Sequence, residues 1–449
     1  MTHAGVTRVL ALAACTCVGI VAAPATAQRP APCGTPQGVP CAAAGDLAFV
    51  SVSAGYAHTC ALTRDGIAYC WGDGRGGALG DGEEGIQRAA RPVVGDLRFD
   101  EIAAGGGFTC ARSAGTVSCW GKGQAVPQWP KPAPAPLRVS LATPAAALTV
   151  GRRHACVLDG ERRAFCWGWN VDGETGTGAS GIDASLVPGP TEVVGGHRFR
   201  SISAGTGFTC GATLDGRVVC WGSNVDGILG DTAPERCGDV AAVPCASRPV
   251  DVPLTEPVVQ VSSGTGHACA VTERGGVWCW GTNALGQLGA LGPGMPGRAT
   301  EPHPVSIPRA GPFASVSSGG VHTCALTASR DMYCWGPDPR RYDNPDLVAD
   351  DVRPRRIMSG VIAMSAGQVH FCALTARGRS SCWGDNVSGA LGRQEPGADR
   401  EDTSRGASRG APGHAVLWNG DTSDGGRGDG MRTSAPRLSS GPCTVRDRR

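Results

Sequence analysis

Lysine is nearly missing from this chain. Lys122 and Lys131 are the only two in 449 residues, and the rest of the positive charge is Arg. Basic and acidic residues almost cancel, 41 against 39. That leaves no concentrated basic surface of the kind nucleic acid requires, so no nucleic-acid partner is expected. Aromatics make up only 5% of the chain, so each ring that is buried carries more of the packing. No stretch after residue 23 approaches the length of a membrane span. Clustered C-x-x-C spacings, which a zinc site would need, do not occur. Neither does the phosphate-loop pattern G-x-x-x-x-G-K-[ST], and no nucleophile elbow G-x-S-x-G stands within the repeats. Asp73 to Asp81 and Asn170 to Gly178 are rich in Asp and Gly but lack calcium-loop spacing. The reading is of a chain that is not an enzyme, with no cofactor, no metal and no catalytic residue.

What the chain does have is glycine (69), proline (33) and a repeat. The repeat reads A-G-x-x-H-T-C, then a turn, then C-W-G. It begins at Ala54 to Cys60 and runs to Cys70-Trp71-Gly72. Six further copies follow. They centre on Cys110 and Cys119, Cys156 and Cys166, Cys210 and Cys220, Cys269 and Cys279, Cys324 and Cys334, and Cys372 and Cys382. Successive first cysteines lie 50, 46, 54, 59, 55 and 48 residues apart, the spacing of a closed repeat architecture. Turn signals such as Asp65-Gly66 and Asp215-Gly216 sit between the two cysteines of a pair. Folding there sets Cys60 opposite Cys70 on antiparallel neighbours, within disulfide reach, and the other six pairs are read as disulfides in the same way. An apolar run precedes each first Cys, as at Leu47 to Ala54 or Val258 to Ser263. A Pro-Val run follows, as at Arg91 to Val94 or Arg248 to Val252. Turns of the form N-x-x-G-x-L-G stand between at Asn224, Asn283 and Asn386. Four short strands repeated seven times predict an all-β fold, a seven-bladed β-propeller of four-stranded antiparallel blades over residues 47–392.

The flanks read differently. Residues 1–27 resemble an export signal: Arg8, an apolar Val9 to Ala23, and a small-x-small site at Ala25-Thr26-Ala27. Leu12-Ala13-Ala14-Cys15 offers a second reading, a lipoprotein box with a lipid anchor at Cys15. Either way an exported protein is expected, secreted, periplasmic or on the cell surface, where paired cysteines oxidise. Cys33 to Cys41 mirrors Cys237 to Cys245, so both pairs are read as disulfides. By that analogy residues 28–46 supply the outer strand of the last blade. Residues 393–449 are Gly, Ser, Asp and Arg with few apolar side chains, and are expected to be disordered. Cys443 has no evident partner.

The A-G-x-x-H-T-C-A-L core, the Y-C-W-G strand and the N-x-x-G-x-L-G turn resemble the regulator of chromosome condensation repeat. The resemblance covers about residues 47 to 392 and implies a seven-bladed propeller. The paired cysteines are similar to those of exported bacterial members. The eukaryotic founder is a nucleotide-exchange factor for a small nuclear GTPase and binds chromatin. Other members are protein-binding platforms, among them a propeller-shaped inhibitor of β-lactamases. The resemblance implies binding rather than catalysis, with an unknown protein partner, and a monomer is expected. The alternatives are a lipid-anchored surface adhesin, a propeller enzyme, or a regulator like the exchange factors.

Two sets of side chains compete for a functional role. His58, His154, His267, His322 and His370 precede the first Cys by two residues, and Phe108 and Phe208 replace them in the other repeats. A ring of imidazoles could bind metal, but Phe at the same position points to packing and hydrogen bonding. Trp71, Trp120, Trp167, Trp221, Trp280, Trp335 and Trp383 directly follow the second Cys and are expected between blades. Trp129 and Trp169 fall in loops and are the candidate binding residues. Recognition is expected from the loops that vary between repeats: Gly123 to Pro136, Gly173 to Pro190, Asp231 to Pro249, Leu291 to Pro304 and Pro337 to Pro354.

Overall fold

A computed structural model describes residues 47–392, apart from 128, 231–232, 239–242, 290–299, 308–310 and 338–352. The export signal, the segment 28–46, Cys15, Cys33, Cys41, Cys443 and the tail 393–449 lie outside the described residues, as do parts of the last three variable loops.

The chain is an all-β propeller of seven antiparallel blades. The first comprises Phe49–Ala54, His58–Thr63, Ala68–Asp73 and Ile86–Pro92, paired in sequence order from the inside outwards. The same four-stranded order recurs through blade 6, and blade 4 adds a short fifth strand, Glu235–Cys237, outside its outer strand. In blade 7 three strands, Val361–Ala366, His370–Thr375 and Ser380–Gly384, fall among the described residues. Outer strands start earlier than their Pro-Val signature suggests: the first begins at Ile86, and that of blade 4 spans Val243–Val252. They reach that far because a bulge beside the Trp of the third strand resets the register, as between Cys70 and Gly72.

The repeat motif has a local cause at each position. The two cysteines of every copy lie directly opposite each other on the second and third strands. Each such pair forms a disulfide. Cys60 is bonded to Cys70, Cys110 to Cys119, Cys156 to Cys166 and Cys210 to Cys220. Cys269 is bonded to Cys279, Cys324 to Cys334 and Cys372 to Cys382. An eighth disulfide, from Cys237 to Cys245, ties the extra strand of blade 4 to its outer strand. The Gly of C-W-G takes φ between 88° and 116° in all seven copies. A Cβ there would sit within 2.4–2.7 Å of a carbonyl in the turn before the second strand. The Gly of A-G is fixed by the ring instead. On Gly55, Gly105, Gly151, Gly205, Gly264, Gly319 or Gly367 a Cβ would come within 2.3–2.8 Å of the next blade's equivalent glycine carbonyl, Gly367 meeting Gly55. Each inner strand thus touches its neighbour backbone to backbone.

The core lies in the seams between blades. Seven apolar clusters each combine two adjacent blades around one of the seven Trp residues. Trp71, for example, packs with Phe49, Cys372, Leu374 and Leu391 where blade 7 meets blade 1. Polar links stitch the same seams. Ser53, Thr149, Ser203, Ser262, Ser317 and Ser365 each accept, through the side-chain hydroxyl oxygen, a backbone N–H of the next inner strand at 2.9–3.1 Å. The last of these, Ala54 N to Ser365 Oγ, closes the ring.

Candidate binding face

The inner strands end in the A-G turns, and these turns surround the mouth of a central channel. The third strand of each blade ends beside the same turn: Asp73 N donates to Ala57 O, Trp169 N to Arg153 O, and Thr282 N to Gly266 O, at 2.7–3.1 Å. Every connection from third to outer strand therefore leaves the ring on the channel-mouth side. The short hairpins between second and third strands, and the links between blades, leave on the other side. The five variable loops belong to the first class, so their described portions share one face with the channel mouth.

Asparagine anchors these connections. Asn224 Oδ1 accepts Leu229 N at 2.7 Å, while Asn224 Nδ2 donates to Gly230 O at 3.0 Å. Asn283 and Asn386 hold Leu288 and Leu391 in the same way, and Asn170 holds Thr175. The Leu at that position is buried, which tethers the loop base and leaves the loop's outer side exposed. Val225, Leu285 and Val387 stand on that exposed side.

The two candidate tryptophans both lie on this face. Trp129, in the blade 2 loop, is 38% exposed. Trp169 is half-buried at the end of a blade 3 strand, with the Arg153 guanidinium 4.8 Å above its ring. The channel mouth holds two residues that sequence reasoning passed over, Tyr56 and Arg152, with the Arg152 guanidinium 5.3 Å from the Tyr56 ring centre. Their signal was the position directly after A-G, where the repeats carry Tyr, Gly, Arg, Thr, Thr, Gly and Gln.

The five histidines are not at the channel. All are buried in the seams. His58, His154, His267 and His370 place Nε2 2.7–2.9 Å from the hydroxyl of Thr109, Thr209, Thr323 and Thr59 on the next blade. Burial pushes their pKa values down from 6.5, His58 to about 4 and His154, His267 and His370 to about 3, so the rings are neutral near neutral pH. Glu235, Cys237 and Cys245 converge in blade 4, but the two sulfurs form a disulfide and the carboxylate accepts Ser247 N and Oγ at 3.0 Å. That cluster has no thiolate to offer a metal.

A family model described as the RCC1-like domain matches residues 18–338, and one for the regulator of chromosome condensation (RCC1) repeat matches residues 361–390. The chain belongs to the RCC1-like domain family. The ultraviolet-B receptor UVR8 of Arabidopsis thaliana is 27% identical over 260 residues, 56% of this chain and 57% of that protein. The regulator of chromosome condensation of Mus musculus is 32% identical over 187 residues, 41% of each chain. The matches thus span little more than half, or less, of these relatives. Among solved structures, Prp20p of Saccharomyces cerevisiae superposes with a TM-score of 0.61 at 20% identity, covering 75% of this RCC1-like chain and 82% of that one. At that identity the likeness concerns the fold.

Proposed function

We propose that this RCC1-like propeller is an exported, non-catalytic scaffold that binds a partner protein through its channel-mouth face. One observation carries the reading. Of eleven large apolar side chains left exposed among the described residues, seven stand on that face: Ile86, Trp129, Ile182, Leu186, Val225, Leu285 and Val387, the last 77% exposed. They come from six different connections on a rigid ring, which is how a scaffold presents a broad, adaptable contact. Family membership supports a binding or regulatory role, and the yeast relative is a protein studied for binding Gsp1p and histones. The eight disulfides among the described residues favour an oxidising compartment, and no described helix is long and apolar enough to cross a membrane. A propeller enzyme would bring carboxylates to the channel. The described residues that line its mouth carry none.

The test is affinity capture by the oxidised chain from surface and periplasmic extract of the source organism, with two variants beside it. One carries Trp129→Ala, Val225→Ser and Leu285→Ser. The other carries Val50→Ser, Leu97→Ser and Leu214→Ser on the opposite face. A saturable partner lost only with the first variant is expected. Loss with the second instead, or no partner above a reduced and unfolded control, overturns the reading.

A further inference from the structure

Seven residues form a collar around the channel mouth, one after each A-G: Tyr56, Gly106, Arg152, Thr206, Thr265, Gly320 and Gln368. Six of them donate their backbone N–H to the next blade's glycine carbonyl, at 3.0–3.2 Å. Gly106 makes no such bond, so one main-chain donor of the collar is uncommitted beside Arg152. Because Gly106 has no side chain, Arg152 on blade 3 reaches across blade 2 to lie over the Tyr56 ring on blade 1. The guanidinium is exposed, and among the described residues no carboxylate lies within ion-pair distance of it. Packing against an aromatic face fixes the plane of an Arg while leaving its N–H edge available. The open depression at the mouth holds about 80 Å³, room for the tip of one side chain and not for a folded element. Its remaining walls are Gly, Ala, Ser and Thr, with Val150 and Gln368.

We propose that this mouth is a carboxylate-reading subsite, in which Arg152, held by Tyr56, takes an Asp or Glu side chain at the tip of a protruding loop of the partner. The inference rests on the reading of this face as the binding face. Apolar residues on the surrounding loops supply contact area, and the single fixed cation at the centre supplies register. A charge-assisted, bidentate contact in a recess is the kind of contact that sets specificity.

The test is selection of disulfide-cyclised peptides, displayed on phage, against the whole oxidised chain, followed by binding measurements on five variants. Selected peptides are expected to contain Asp or Glu. Their affinity should fall at least tenfold with Arg152→Gln and fall with Tyr56→Leu. It should fall less with Arg152→Lys, which keeps the charge but loses the bidentate edge, and stay unchanged with Arg75→Gln, an exposed Arg that pairs with Asp73. Because Arg152 is exposed, Arg152→Gln should leave the melting midpoint unchanged. Peptides that are lost with Trp129→Ala but lack an acidic residue, or bind Arg152→Gln equally well, overturn the subsite and leave the binding face standing. If no peptide depends on either Arg152 or Trp129, both fall.

Discussion

Glu174 occupies the place in blade 3 that Gln287 occupies in blade 5. Each side chain accepts the backbone N–H two residues earlier, from Asp172 and Leu285, at 2.9 Å. Each main-chain carbonyl accepts the seam hydroxyl of the next blade, Thr209 or Thr323. A carboxylate fills this buried niche less well than an amide. Burial, helped by Asp172 and opposed by Arg153, raises the Glu174 pKa from 4.5 to about 8. Between those pH values the folded chain holds a proton that the unfolded chain has released. Stability from this group therefore falls as pH rises through that window and levels off above it. Glu174→Gln should remove the effect, gaining about 1–3 kcal/mol at pH 8 and much less at pH 4.5. The buried histidines act with the opposite sign, losing stability as pH falls below 6.5, but they are common to both proteins and cancel in the difference. Melting midpoints of the two proteins at pH 5 and pH 8 decide it: an equal shift at both would show that Glu174 ionises normally. The sequence showed His and Phe to be interchangeable before the first Cys. It did not show why, because the deciding neighbour stands one position further on in the following repeat. His58, His154, His267 and His370 each face a Thr, whereas Phe108 and Phe208 pack with Ala155 and Ala268. His322 departs from the rule. It meets Phe371 at 5.6 Å between ring centres, and neither of its ring nitrogens has a protein partner.

At the level of strands, the motif spacing was enough to place almost every element, since each disulfide-linked hairpin announces itself by two cysteines and a turn. The face on which the loops gather was less legible. It depends on which end of the third strand adjoins the A-G turn, and the turn's hydrogen bonds settle that only in three dimensions. A spacing shared by the first five blades bears on the last; blade 6, where Arg355 opposes Cys334 six positions before Val361, departs from it. Arg91, opposite Cys70, precedes the first core residue of the next blade, Phe99, by eight positions. Leu137, Thr191, Val250 and Val305, opposite the equivalent cysteines Cys119, Cys166, Cys220 and Cys279, precede Ala145, Phe199, Val258 and Phe313 by the same eight. Counting eight back from Phe49 reaches residue 41, inside the 28–46 segment. The outer edge of Ser380–Gly384 has no strand against it among the described residues. Deleting 28–46 is therefore expected to lower the melting midpoint by several degrees and to speed amide exchange across residues 380–384. An unchanged midpoint, with unchanged exchange there, would mean the segment is not the missing strand.

Over the whole ring the seams are not equal. The hydroxyl link between inner strands is present at six of the seven, and the collar link from N–H to glycine carbonyl at the same six. The exception in both cases is the seam between blades 2 and 3, where Ala103 stands in the hydroxyl position and Gly106 in the donor position. The same seam lacks the His–Thr pair, since Phe108 packs with Ala155 there. What remains there among the described residues is Trp167 Nε1 to Ala125 O at 2.9 Å and, as at every seam, the N–H of the first core residue of the inner strand, Ala145, to a hairpin carbonyl, Gly115 O, at 2.8 Å, beside a large apolar cluster. Apolar contact holds two surfaces together without fixing their relative position, whereas directional bonds fix it. A closed ring opens where the directional restraint is weakest. Amide exchange of the folded protein is accordingly expected to be fastest, among the inner strands, at Glu101–Ala104 and Ala145–Val150. Ala103→Ser should supply the missing acceptor for the Val150 N–H, as Ser53 does for Ala104 one seam earlier. A single such bond contributes about 0.5–1.5 kcal/mol, enough to raise the melting midpoint measurably and slow exchange on both flanking strands. If exchange there is no faster than at the seam between blades 3 and 4, where Thr149, Arg152 and His154 all link to the next blade, polar stitching does not set where the ring gives way. The seven apolar slabs would then be holding it uniformly.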